Sequence, residues 1–368
     1  MRRVVLIVPG LLGDVEQTSA LRQGLSNLPA IAEQAEIIKL AALPATETPE
    51  ALYLGMGPKE GQMRQGPLTV SALGADPPER STHFHLSLMS YDDGVARTPQ
   101  FLPTKEEADK MWEVLKKLNT SKLTLLRGED LDHGLVWEAL GDIGTTTARD
   151  VEGKAIAEHL PEGDADRPLR RLIDDSVNIL SELELNQQRI EEGLPPFNLL
   201  WPWGQGVRKP VPNLLLRRGE RAIVESASMR LAGLTRLTSY RHENRSLFGK
   251  GLQTRFRKIA ERALDRPVTI VFLDAMTAFP GREGEEERFW LVREFDKELL
   301  GPLTDRRGED FTRLTLLAPG PDGSIGLGLQ LRSTPVVGNS APFDERALEE
   351  RRIPTFDLAE RVEAGVTL

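Results

Sequence analysis

The chain has 368 residues, 39% hydrophobic and 28% charged, enough apolar sequence for packed cores and enough length for two domains. A net charge of −9 and a pI near 5.3 exclude the basic face that a nucleic-acid binder presents. With no cysteine, disulfides, thiolate metal sites and cysteine nucleophiles are excluded as well.

Val4–Val8 is a short apolar run closed by Pro9-Gly10. It is too brief for a signal-peptide core and reads as a buried parallel strand with a strand-to-helix turn behind it. No segment reaches the roughly 18 apolar residues of a membrane span, so a cytoplasmic location without a membrane partner is expected. Ser19–Leu28 is expected to be helical, Ile37–Leu40 a second strand and 41–50 a linker. From Leu54 the texture changes. Leu68–Leu73 and Thr82–Met89 run like strands, Lys105–Leu118 is an amphipathic helix, Leu123–Leu126 a strand and Pro168–Ile190 one long helix. The α/β rhythm then returns with helices over Ala222–Ala232, Gly249–Leu264 and Glu286–Leu300. Strands are expected over Val268–Leu273, Leu314–Leu317 and Ile325–Leu331.

Several segments, in order, carry a family likeness. They are Gly55-Met56-Gly57-Pro58-Lys59-Glu60; Asn186-Gln187-Gln188-Arg189 followed by Gly193 through Gly206; Val271–Asp296 followed by Gly301-Pro302-Leu303; and Pro342-Phe343. Together they resemble the archaeal-type, cofactor-independent phosphoglycerate mutases of the alkaline phosphatase superfamily. The resemblance implies an α/β core with a mostly parallel sheet flanked by helices, built from residues 1–52 and 213–368, and an inserted α+β domain over 53–212. It also implies two divalent cations (Mn, Mg or Zn) held by Asp and His, a nucleophilic Ser, and interconversion of 2-phosphoglycerate and 3-phosphoglycerate. Arg189, Asn198, Trp201, Trp203, Gly204, Gly206 and Arg217 are the expected ligand-binding positions.

The ligand positions of the resembled family are replaced. Its first strand ends in Asp-Gly, and here Pro9-Gly10 stands there. Its Asp-Glu-x-x-His loop corresponds to Thr277–Gly281, and its Asp-His to Ala318-Pro319-Gly320-Pro321. Arg332-Ser333-Thr334 stand where a late His would be, and Thr46-Glu47 fall where the family carries Ser-Asp. A two-cation site takes six to eight N or O ligands, so no metal ligand and no cofactor are expected, and a bare Thr hydroxyl lacks activation. The expected function is a phosphoglycerate mutase-like protein, catalytically degenerate, that binds a small phosphorylated ligand or regulates. Two alternatives stay open. One is an active mutase or phosphatase with ligands relocated to Asp14, Glu47, Asp274 or Glu283. The other is a structural partner subunit using the aromatic segment. The oligomeric state is left open.

Other constellations have plainer readings. His83-Phe84-His85 on a strand puts both rings on one face, as a zinc pair would, or simply as polar groups on a half-buried face. Asp92-Asp93-Gly94 reads as a hairpin turn, and Asp130-x-Asp132-His133 as loop capping. Trp201-Pro202-Trp203-Gly204-Gln205-Gly206 is either an inter-domain packing corner or the rim of a ligand cleft. Arg208, Lys209, Arg217 and Arg218 follow it as an anion-binding lobe or a solvated face. Gly323–Gly328 lacks the strand–loop–helix context of a dinucleotide loop.

Overall fold

A computed structural model of the chain describes residues 2–12, 24–44, 48–163, 166–243, 251–279, 284–305, 311–320, 324–332 and 355–359. The strands are β1 (Arg2–Ile7), β2 (Glu36–Leu40), β3 (Thr82–Asp92), β4 (Val95–Arg97), β5 (Leu123–Leu126), β6 (Asp132–Trp137), β7 (Ile143–Gly144) and β8 (Glu162–Gly163). They continue with β9 (Leu199–Gly206), β10 (Ile223–Glu225), β11 (Arg241–Glu243), β12 (Val268–Phe272), β13 (Phe311–Ala318), β14 (Gly326–Arg332) and β15 (Thr355–Phe356). The helices are α1 (Asn27–Ala32), α2 (Glu50–Tyr53), α3 (Gln65–Ala72), α4 (Lys105–Leu115), α5 (Ala148–Val151) and α6 (Asp166–Ser181). They continue with α7 (Glu184–Glu191), α8 (Leu214–Arg218), α9 (Met229–Thr238), α10 (Phe256–Leu264), α11 (Glu285–Glu294) and α12 (Gly301–Asp305). None of the described helices is long and apolar enough to cross a membrane. The chain separates into two compact units, Met1–Gln62 with Val211–Leu231 and Thr235–Leu368, and Met63–Pro210 with Ala232–Leu234.

The first unit is built on an eight-stranded sheet in the order β11-β10-β12-β1-β13-β14-β2-β15. Only β14 runs against its neighbours; β1 is parallel to both β12 and β13. Alternation along the strands sends Val4, Leu6, Val271, Leu314, Leu316, Leu329 and Leu331 to one face. There they join Ile31 of α1, Ile259 and Ala263 of α10, Leu291 of α11 and Leu299 in one core. On the opposite face Tyr53 of α2 lies 6.2 Å from the ring of Phe272. A π-helical turn, Phe295–Leu300, continues α11. It carries the buried Asp296, whose carboxylate accepts the backbone N–H groups of Ser26 (3.0 Å), Asn27 (3.1 Å) and Leu28 (2.6 Å). Ser26 stands at the N-cap of α1 without a side-chain cap bond of its own, so Asp296 supplies the acceptors that the orphan N–H groups need.

The second unit is an antiparallel sheet in which β3 lies between β6 and β9. Phe84, Leu86 and Leu88 of β3 face a core with Met111 of α4 and Leu169 and Leu172 of α6. On the opposite face Thr69 of α3 meets His85. The Asp93-Gly94 turn joins β3 to β4 with φ of 46° and 81°, the mirror-image hairpin geometry that its sequence suggested.

Three sequence expectations need correction. Leu68–Leu73 is not a strand but part of α3, buried on all sides from Gly66 to Ser71. A helix buried all round has no polar face to mark a 3.6-residue period, and Pro67 is tolerated in its first turn, where no N–H is needed. Pro168–Ile190 breaks into α6 and α7, and the buried Asn186 after the break binds the carbonyls of Leu180 (2.8 Å) and Phe197 (2.9 Å). Ala222–Ala232 holds β10 and the start of α9. The strand pairs with both β11 and β12, and Ser228 caps the helix by accepting from the Leu231 N–H.

Candidate functional site

In an open parallel sheet, ligands bind beyond the carboxyl ends of the strands. In the first unit the registers Ile7↔Phe272 and Ile7↔Leu317 bring the ends of β1, β12 and β13 to one level. The Leu273 N–H donates to the Ile7 carbonyl (2.8 Å) and the Val8 N–H to the Leu317 carbonyl (2.9 Å). Beyond that level lie the Pro9-Gly10 turn and the short turn Ala275–Ala278. Gly10 has φ +78°, and a Cβ there would sit 3.2 Å from the Met276 carbonyl carbon, so the two turns meet backbone to backbone.

Among the described residues, the ionisable groups at this edge are few. Burial raises the Asp274 carboxyl above its ordinary range, and the Glu50 charge raises it further. The Tyr53 phenol is likewise raised, first by burial and then by Glu50. Arg230 reaches to 3.4 Å of Glu50, and the Thr277 hydroxyl donates to the Asp274 carbonyl (2.6 Å). Gln62 holds both backbone groups of Thr48 (2.9 and 3.4 Å). Thr46 and Glu47, the expected nucleophile positions, lie outside the described residues, as do Asp14 and Glu283.

The Gly55–Glu60 segment is also in the first unit. Glu60 accepts from the Gly57 N–H (2.9 Å) and forms a two-pronged pair with Arg217 (2.7 and 2.8 Å). That pairing holds the Glu60 carboxyl below its usual range. Arg217, expected to bind a ligand, is thus engaged with Glu60. Met56, in the position of an Arg in the resembled segment, is fully buried.

The remaining expected ligand positions lie in the second unit, each in contact with neighbours there. Arg189 donates to the Pro195 carbonyl (3.0 Å), stands 3.5 Å from Glu107 and lies 4.2 Å above the Phe197 ring. Asn198 pairs both backbone groups of Tyr91 (2.7 and 3.0 Å), tying the start of β9 to β3. Trp201 is fully buried and donates to the Thr146 carbonyl (2.8 Å). Trp203 donates to the Ser87 hydroxyl (2.9 Å) and packs 4.8 Å from His85. Gly204 (φ +65°) and Gly206 let β9 run close over Gln65 and Pro67.

Sequence reasoning singled out His83-x-His85 but not the chain it joins. Thr69 Oγ1 is 2.9 Å from His85 Nδ1, and His85 Nε2 is 3.2 Å from Asp132 Oδ1. The signal available was Asp132, one of the acids in the Asp130-x-Asp132-His133 motif. His133 Nδ1 accepts the Gly128 N–H (3.0 Å), and burial lowers its pKa to about 4.

Among the described residues no three His, Asp or Glu side chains converge as a metal site. Gly10, Thr277 and Ala318, at or just beyond the ends of β1, β12 and β13, offer one hydroxyl between them. The described residues therefore do not fit a two-cation centre, and no chemical step is routed through one.

No protein-family model matches the sequence. Curated relatives do. A 2,3-bisphosphoglycerate-independent phosphoglycerate mutase of Methanothrix thermoacetophila is 25% identical over 299 residues, covering 79% of this chain and 75% of the relative. A second, from Methanothermobacter thermautotrophicus, is 24% identical over 278 residues, covering 73% and 68%. Among solved structures, the cofactor-independent phosphoglycerate mutase of Thermoplasma acidophilum matches 99% of this chain and 98% of its own at a TM-score of 0.60 and 18% identity. A protein from Pyrococcus horikoshii matches 99% and 96% at a TM-score of 0.70 and 15% identity. The fold is therefore the alkaline-phosphatase-like one that the resemblance implied. One expectation is overturned. The relatives belong to a class that works with divalent cations, so the chain cannot be assigned the absence of a cofactor that its replaced ligand positions suggested. In sequence the chain is similar to the archaeal 2,3-bisphosphoglycerate-independent phosphoglycerate mutases over about three quarters of its length, and it shares the fold of the solved cofactor-independent phosphoglycerate mutase.

Proposed function

We propose that this phosphoglycerate mutase-like protein binds a small phosphorylated ligand and does not interconvert phosphoglycerates, acting as a binding or regulatory homologue. One observation carries the reading. Three strand ends that meet at one edge hold Gly10, Thr277 and Ala318 where the resembled family has acidic and imidazole ligands. Phosphoryl transfer needs concentrated positive charge to neutralise the migrating group, and a hydroxyl is a poor nucleophile until a base or cation activates it.

The test is interconversion of 2- and 3-phosphoglycerate by the full chain, with Mn²⁺ added and with a chelated control. The expected result is no turnover above buffer in either arm, with saturable binding of phosphoglycerate by calorimetry. Mn²⁺-dependent turnover overturns the reading and favours the active alternative. Asp274 gives that alternative its one described support, since it is an acid at the end of β12. Of the two tryptophans that the partner-subunit alternative invokes, Trp201 is fully buried and Trp203 half-buried.

A further inference from the structure

The amino end of the same sheet carries an unmatched set of donors. The registers Val4↔Thr269, Ile223↔Thr269 and Ile223↔Arg241 place Arg3, Val268, Ala222 and Tyr240 in one row across four neighbouring strand paths. Residues in one row point to the same face, and three strand spacings separate Arg3 from Tyr240 by about 14 Å. Two long side chains can close that gap.

Two buried hydrogen-bond donors belong to this region. Arg3 gives one arm to Glu220, yet its Nε is buried with no acceptor among the described residues. Arg218, at the end of α8, gives Nη2 to the Gly55 carbonyl (3.0 Å), and its Nε is also buried without an acceptor. Gly55 has φ +83°, and a Cβ there would stand 2.0 Å from Arg218 Nη2, so the bare backbone is what admits the guanidinium. The charges of Arg218, Glu220 and Arg3 all act on the buried Tyr240 hydroxyl. Two cations face one carboxylate, and both unmade bonds want an acceptor.

A buried N–H without a partner is rare in folded proteins and calls for something to accept it. Two guanidinium groups with spare donors match an oxyanion in charge and in planar geometry. We propose that Arg3, Arg218 and Tyr240 form a site for a small oxyanion, a phosphate or phosphate ester, at the amino end of the central sheet. This is the opposite end from the edge where the relatives' chemistry is expected, so the site acts as a second, effector-type position. It stands whether or not the chain turns over phosphoglycerate.

The experiment uses the full chain and inorganic phosphate, titrated against sodium chloride of equal ionic strength, with thermal unfolding and calorimetry as readouts. Phosphate is expected to stabilise the protein saturably where chloride does not. Its affinity should fall at least tenfold in Arg3→Gln and Arg218→Gln, and severalfold in Tyr240→Phe. Arg257→Gln, which removes an equal charge from the exposed surface of α10, should bind phosphate as the parent does. Should Arg218→Gln fail to fold, Arg3→Lys keeps the charge, removes the Nε donor and is expected to weaken phosphate binding in the same direction. Equal effects of phosphate and chloride mean that water fills the site and overturn the proposal, as does undiminished phosphate binding in Arg3→Gln. Repeating the titration with 3-phosphoglycerate separates the two readings. Binding that survives both Arg3→Gln and Arg218→Gln belongs to the proposed function, and loss of phosphate binding belongs to this site.

Discussion

Asp296 and His133 set conditions on stability that no neighbouring sequence announces. Asp296 satisfies three backbone N–H groups at the start of α1. Asp296→Ala leaves those donors without acceptors and is expected to cost about 2 kcal/mol or more in urea unfolding, the upper range of a lost cap. Asp296→Asn, which keeps one acceptor oxygen, should cost less. His133 and His83 are held neutral, each with a pKa lowered to about 4, chiefly by burial, with Arg208 adding to the effect on His83. Their unfolded values lie near 6.5, so between pH 6.5 and 4 the unfolded chain takes up protons that the folded chain refuses. Stability is therefore full above pH 6.5 and falls as the pH drops toward 4, with a limiting slope of about 1.4 kcal/mol per pH unit for each histidine. Asp274 and Glu225, whose carboxyls are raised by burial, act in the opposite sense: they favour folding at low pH and lose that contribution as the pH rises through their folded values. Comparing the parent with His133→Asn isolates the histidine term, and the variant's stability between pH 7 and 5 should be flatter. At this scale the sequence was partly readable. The hairpin acids at 92–93 and the pair His83-x-His85 stood out, because their neighbours in sequence are also their neighbours in space. Asp296 did not, because the groups it serves lie some 270 positions away.

Elements were legible where a period was present and illegible where burial erased it. β1, β12 and the amphipathic α4 follow their patterns directly. The all-buried α3 and the short β10 do not, since an element wrapped in protein has no polar face to mark its period. Glycines in such elements give a test that sets two effects against each other. In an exposed helix Gly→Ala gains up to about 1 kcal/mol from propensity. At Gly66 of α3 the added Cβ would lie 2.2 Å from the His83 carbonyl oxygen, and at Gly233 of α9 it would lie 2.1 Å from the Leu68 carbonyl oxygen. Overpacking against backbone costs about 1–3 kcal/mol or more, so packing wins. Both Gly66→Ala and Gly233→Ala are expected to lower the denaturation midpoint. A raised midpoint for either would mean that the helix can shift away at little cost.

For the molecule as a whole, the scaffold was readable from ordered segments spread along the chain, none decisive alone. The strand ends themselves were readable too, because Pro9-Gly10, Thr277–Gly281 and Ala318–Pro321 follow apolar runs that periodicity locates. What the family likeness could not give was the row joining Arg3 to Tyr240, which exists only once parallel registers are set. The net charge of −9 carries its own expectation, that a labelled DNA duplex at about 0.15 M salt shows no anisotropy change with this protein. The place of β1 bears on how the protein is made. This early strand lies between β12 and β13, partners that a ribosome delivers only after some 260 further residues. Through most of synthesis the nascent amino-terminal segment carries an apolar ribbon with both hydrogen-bonding edges bare. Residues 63–210, by contrast, are contiguous and hold nearly all of their own unit. Translation thus completes the contiguous unit while β1 still lacks both of its strand partners, a high-contact-order arrangement that slows folding of the first unit.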